Sequence, residues 1–170
     1  MTFRTWLENE YWHGSPKSFD RFEYTFLGTG RGHDQHGPGF YFTSKESDAK
    51  NYGGNLIKAN LTLNKTVPLR GRPKVKEIRW LMQQAPDLAD TLTNWNEDPR
   101  QAFQDALAAM LNQENPHQAF QQVWYDFYRG HEAEYLKNMT TLGYDGVVIP
   151  GANDITHVVM FSPDKIEVIR

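Results

Sequence analysis

The sequence predicts an α+β fold in which two strand-rich ends flank a helical middle. Three observations carry that prediction. Residues 56–63 alternate, with Ile57, Ala59, Leu61 and Leu63 on one face and Lys58, Asn60 and Thr62 on the other, the period of a half-buried strand. Asp98-Pro99 and Asn115-Pro116 each set a capping side chain before a proline at the first helical position, and helical spacing follows both. From Tyr144 onward, β-prone residues return in three short runs, 146–149, 156–161 and 166–169.

Taken in order, Glu10-Tyr11-Trp12-His13 reads as a short strand ending at Gly14-Ser15-Pro16, and Phe19 and Phe22 as a turn packed on the core. Residues 27–39 form a glycine-rich loop. Gly39-Phe40-Tyr41-Phe42-Thr43 is aromatic and β-prone, with Ser44 placed to cap a short helix running through Asp48 and Ala49 to Tyr52. The helical middle spans about 74–142. Phe103, Leu107, Met110 and Leu111 make one apolar stripe there, and Phe120, Val123, Trp124 and Phe127 another; both read as packing. Gly130 breaks the second helix, and Tyr135, Leu136 and Met139 resume the pattern. No internal repeat or low-complexity tract interrupts it.

The 170 residues suit one compact domain, 1–170, with 39% hydrophobic and 14% aromatic residues interleaved with charge. Eighteen basic and 21 acidic residues give a net charge of −3, which argues against general affinity for nucleic acid. A local basic run, Lys65, Arg70, Arg72, Lys74, Lys76 and Arg79, reads as a solvated face, with phosphate or acceptor contact as the alternative. The absence of cysteine excludes disulfides, thiolate zinc sites and cysteine nucleophiles. The first residues lack the apolar stretch of a signal peptide, and no run is long and apolar enough to span a bilayer. The expectation is a soluble cytoplasmic protein with no membrane partner, or one delivered into a target cell without a cleaved signal.

Several chemistries find little support. Gly28-x-Gly30-x-Gly32 lacks the spacing and the strand-turn-helix context of a dinucleotide fingerprint. His33, Asp34 and His36 lack further ligands at a metal-site spacing, so no metal is expected. Ser15 has no nucleophile elbow around it.

His13-Gly14-Ser15, then Gly39-Phe40-Tyr41-Phe42-Thr43, then Tyr52 eleven residues after Tyr41 resemble the NAD-binding signature of diphtheria-toxin-like and poly(ADP-ribose)-polymerase-like transferases, the H-Y-E type of ADP-ribosyltransferase. With His157 and Phe161-Ser162-Pro163-Asp164-Lys165-Ile166, the chain is most similar to the ADP-ribosyltransferase domains of phage and mobile-element polyvalent proteins. The resemblance covers roughly residues 9–63 and 143–170. Any one of His13, Tyr41 and Tyr52 would fit ordinary packing; their joint order and spacing favour the site.

The resemblance implies two small, mainly antiparallel sheets around an NAD cleft, with the helical insert to one side. NAD would be a co-substrate. His13 would hydrogen-bond the adenosine ribose, the Gly14 backbone would hold the nicotinamide carboxamide with help from the Ser15 hydroxyl, and Tyr41 and Tyr52 would sandwich the ring. Gly39 and Phe40 complete the NAD-binding set. His13, Tyr41 and His157 would be the catalytic residues, with His157 where the family carries a glutamate. A neutral imidazole accepts one hydrogen bond but brings no negative charge. In the family the glutamate also activates a hydroxyl for chain growth, so the resemblance implies transfer of a single ADP-ribose to a protein or nucleic-acid acceptor; alternatively Asp154, Glu132 or Glu134 supplies the carboxylate, Asp154 being the best placed. The loop 28–37 would be a lid facing the acceptor. A binding module for NAD or ADP-ribose without turnover, or an NAD glycohydrolase, are the alternatives. A toxin, effector or phage-conflict role fits the resemblance, and would bring a neutralising antitoxin or immunity protein as partner.

Overall fold

In the computed structural model, which describes residues 10–27 and 35–170, the chain divides into two compact units. One comprises the residues up to Thr66 together with Gly143–Arg170, and the other Val67–Leu142. The second unit begins at Val67, and its first helix at Val75.

The first unit is built on six strands: β1 (Tyr11–Ser15), β2 (Phe40–Thr43), β3 (Asn55–Leu61), β4 (Gly146–Pro150), β5 (Thr156–Met160) and β6 (Ile166–Val168). All neighbours pair antiparallel, in the order β4-β5-β2-β1-β3-β6. The central joint is the weakest. β1 and β3 share five register pairs and β2 and β5 four, whereas β1 meets β2 only at Trp12↔Thr43. In place of the two small sheets expected, there is one six-stranded sheet whose halves, β4-β5-β2 and β1-β3-β6, join at a single register pair.

One face of these strands carries the core. The alternation read in residues 56–63 holds: Ala59, Leu61 and Leu63 are buried, and Ile57 packs against them. Tyr11, Phe40, Phe42, Val158 and Met160 join the same cluster, capped by Phe22. Phe22 packs edge-on to Phe19 and Phe40 and tilted against Phe42, at ring distances of 5.0 to 5.8 Å. Burying each such ring contributes about 2 kcal/mol, and the ring pairs about 1 kcal/mol more.

A short helix, α1 (Glu46–Ala49), and the tight turn Lys50–Tyr52 cover the opposite face of β1. Ser44 is not the cap of this helix, which begins after Lys45. Ser44 instead pairs with β5: its N–H donates to the Thr156 carbonyl, and its hydroxyl accepts from the Thr156 N–H, both at 2.9 Å. A partner in a distant strand outcompetes the local cap. Where the chain leaves and re-enters the sheet, Thr66 bridges Gly146, and the Asp145 carboxylate accepts from the N–H groups of Asn64 and Lys65 at 2.6 and 3.0 Å.

The second unit is helical: α2 (Val75–Gln83), α3 (Leu88–Leu92), α4 (Pro99–Leu111), α5 (Pro116–Val123) and α6 (Glu132–Thr141), with a wider π-turn at Trp124–Tyr128 continuing α5. Both expected caps form. Asp98 accepts from Arg100 and Gln101, and Asn115 from Gln118. Tyr135, Leu136 and Met139 of α6 are buried as expected. The buried stripe of α4 is Ala102, Ala106, Leu107 and Met110, so two alanines take places expected for Phe103 and Leu111. Tyr128 is fully buried; its hydroxyl donates to the Leu81 carbonyl at 2.6 Å and accepts from Asn138 at 3.0 Å. All six residues of the basic run are exposed, as a solvated face requires. No helix among the described residues is long and apolar enough to cross a membrane.

Candidate functional site

The residues singled out in the sequence gather where β1 and β2 part. Beyond Trp12↔Thr43, His13, Gly14 and Ser15 run along one lip of the fork, and Phe42, Tyr41 and Phe40 along the other. Strand alternation divides them between two faces. Tyr41 and Thr43 lie on the α1 side with His157, which is the register partner of Thr43. His13 lies on the aromatic side, its ring 5.0 to 5.7 Å from those of Phe19, Phe22 and Phe42.

The His13 ring spans the fork, with Nδ1 2.7 Å from the Tyr41 carbonyl. A carbonyl only accepts, so Nδ1 carries the proton and Nε2 keeps the lone pair. Burial among the phenylalanines lowers the His13 pKa, and the bond to Tyr41 opposes that only in part, so the ring is held neutral.

Gly14 has a structural reason of its own. A Cβ there would stand 1.9 Å from the carbonyl oxygen of Ala49, at the end of α1. Gly53 meets the same limit from the other side: a Cβ would stand 2.1 Å from the carbonyl carbon of Ser15, and its φ of +153° is one that other residues rarely adopt. This pair of glycines lets the 46–53 segment lie directly on β1. The sequence reading gave Gly14 to ligand approach; in the Cβ direction its close neighbour is the Ala49 carbonyl. Ser15 is buried, and its hydroxyl accepts from the Lys17 N–H at 3.1 Å.

On the other lip, the Tyr41 hydroxyl accepts from the His36 N–H at 3.1 Å and donates to the Gly37 carbonyl. The part of the proposed lid at 35–37 is thereby tied to Tyr41; residues 28–34, with Gly28, Gly30, Gly32, His33 and Asp34, lie outside the described residues. Phe40 is 5% exposed and belongs to the core, so its side chain is not offered to a ligand. Gly39 is confined by β5: a Cβ would stand 2.4 Å from Val159. Tyr52, on the turn after α1, is 37% exposed; partial burial and the nearby Asp48 charge raise its pKa.

The sequence reading missed Asp48 as a site residue. His157 Nε2 lies 2.8 Å from Asp48 Oδ2, with side-chain exposures of 31% and 15%. Burial alone would raise the Asp48 pKa; hydrogen bonds from His157, Thr43 and Asn51, together with the His157 charge, outweigh it and leave the pKa lowered. The carboxylate is ionised and acceptor-only, so Nε2 of His157 carries the proton. Two docking contacts aim α1 at this bond: the paired Ser44 and Thr156, and Lys45 Nζ, which donates to the Asn153 carbonyl at 2.6 Å. His36 also senses the centre, its pKa lowered by burial and then by the His157 charge.

The sequence reading named three other carboxylates. Asp154 is exposed on the turn between β4 and β5, at a φ of +58°. Glu132 and Glu134 belong to the helical unit, where Glu132 accepts from the Gly130 N–H and Glu134 faces His131. Asp48 carries a faint sequence signal, since it sits one helical turn before Tyr52.

Residues 9–170 match the model of a protein family described as ADP-ribosyltransferase in polyvalent proteins. The chain belongs to this family. A search of solved structures gives "Crystal structure of an anti-CRISPR protein", 14% identical over 94% of each chain, with a TM-score of 0.37. No curated protein matches the chain. For an ADP-ribosyltransferase-family domain, the fork is where the signature residues converge: His13 and Tyr41 at its lips, and His157 beside Tyr41 on the α1 face.

Proposed function

We propose that this domain is a mono-ADP-ribosyltransferase that takes NAD as co-substrate, breaks the bond between nicotinamide and its ribose, and transfers ADP-ribose to a macromolecular acceptor. The observation that carries the reading is the fork itself. Pairing between β1 and β2 stops after one register pair, Trp12↔Thr43, short of His13 and Gly14 on one strand and Tyr41 on the other. A carboxamide of nicotinamide would take up backbone groups of Gly14 on the open lip, with the pyridinium ring against Tyr41 and Tyr52. His13, neutral and with Nε2 free to accept, would receive a hydroxyl of the adenosine ribose. His157 would meet the nicotinamide ribose. Among the described residues no three His, Asp or Glu side chains group as metal ligands, and the proposed reaction calls for none.

The test incubates the purified protein with labelled NAD and a cell lysate, with and without nuclease, and follows nicotinamide release and the fate of the label. Label on macromolecules that disappears in Tyr41→Ala and falls in His157→Ala supports transfer, and nuclease sensitivity assigns the acceptor class. Release without label on any acceptor would replace the reading with an NAD glycohydrolase. Saturable binding without release would leave a nucleotide-binding module.

A further inference from the structure

Breaking the bond between nicotinamide and ribose leaves positive charge on the sugar, which a nearby negative group stabilises. An imidazole that accepts a hydrogen bond brings none. Its neighbour does, and the geometry points to a composite group: we propose that Asp48 is a positioning residue that makes His157 catalytically competent. This role rests on the NAD reading above.

Three observations support it. The ionised Asp48 fixes the proton of His157 on Nε2, so the lone pair sits on Nδ1; among the described residues Nδ1 has no hydrogen bond, and the side chain is 31% exposed. The carboxylate is not a stray surface charge, because Thr43 and Asn51 also hydrogen-bond it, and the two residues leading into α1 are fastened to β5 at Thr156 and to the β4–β5 turn at Asn153, both just before His157 in the chain. Two further groups sense the pair: burial and then the Asp48 charge raise the Tyr52 pKa, and burial and then the His157 charge lower that of His36.

The step balances as follows. The bond from ribose C1′ to the pyridinium nitrogen breaks, and its electron pair leaves on nicotinamide, which becomes neutral. A lone pair of the acceptor closes on C1′, and the acceptor's proton passes to Nδ1 of His157. The resulting imidazolium is held by Asp48 until the proton returns to water.

The experiment has two arms on the full chain. Nitrogen-15 NMR of wild type should show His157 as the Nε2–H tautomer, with Asp48→Asn redistributing the proton. In the nicotinamide-release assay, Asp48→Asn should lower kcat on the order of 10²-fold while the KM for NAD stays within about threefold, and Asp48→Glu should recover part of the loss. Glu46→Gln, on the same short helix, should match wild type. An Nδ1–H tautomer in wild type overturns the proposal, and this arm decides even if Asp48→Asn fails to fold. So does a folded Asp48→Asn within about threefold of wild-type kcat, a result that leaves the NAD reading standing. Wild type that releases no nicotinamide with any acceptor overturns both.

Discussion

Replacing Gly14 with alanine adds one carbon atom and should disturb the site from its far side. The new Cβ would stand 1.9 Å from the Ala49 carbonyl oxygen, where real Cβ atoms essentially never come closer than 3.0 Å. The end of α1 must therefore withdraw by at least about 1.1 Å, the difference between those distances. Backbone cannot yield as a flexible side chain would, so the cost falls at the upper end of overpacking, about 3 kcal/mol. For a chain of this size that lowers Tm by roughly 6–12 °C. A shift of that size in α1 would also stretch the 2.8 Å contact between Asp48 and His157 beyond hydrogen-bond range. Differential scanning calorimetry reads the first effect, and the His157 tautomer in NMR reads the second. Gly54→Ala is the control, because a Cβ there meets nothing within 4 Å. If Gly14→Ala melted within about a degree of Gly54→Ala, the account of α1 lying on β1 would be refuted.

Other outcomes follow from the same contacts. Tyr128→Phe removes a buried hydroxyl and strands the Leu81 carbonyl and the Asn138 amide, so urea unfolding should show a loss of about 1–3 kcal/mol while nicotinamide release per folded molecule holds. Tyr41→Phe keeps the ring but releases the turn at 35–37; limited proteolysis should cut faster there, with NAD binding weakened less than by Tyr41→Ala. Stability should also fall with acid. His13 is held below its ordinary pKa of 6.5, so the unfolded chain binds the proton first; its contribution is complete above about 6.5 and is lost as pH falls through the folded value. His13→Asn should flatten part of the Tm decline between pH 7 and 5. Asp48 acts in the same direction in a lower window, complete above about 3.8 and lost as pH falls through its own lowered value.

Features decided within a few residues were legible in the sequence. The face alternation of 57–63, the Asp98 and Asn115 caps and the burial of Phe22 each depend on local chemistry, and each stands in the structure. Ser44 shows where this stops: its capping chemistry was read correctly, but Thr156, 112 residues away, takes the hydroxyl. Asp48 was missed for the same reason, since its partner His157 is 109 residues away and nothing near Asp48 announces it. The placing of His13 was within reach, because period-two alternation in Tyr11, His13 and Ser15 already puts it opposite Trp12 and Gly14. What the sequence could not supply was the reason for Gly14, a contact with backbone that carries no side-chain signature.

The bridge between Thr66 and Gly146, locked by Asp145 on Asn64 and Lys65, works as a doorway through which the chain leaves the sheet and returns. Both jambs belong to the strand unit, so the register of the sheet is set without reference to what passes between them. Lengthening or shortening a loop closed at its base changes its entropy only slowly with length. The helical segment is therefore placed as a cassette: exchanging Val67–Leu142 for another insert should leave the fork of β1 and β2 in register.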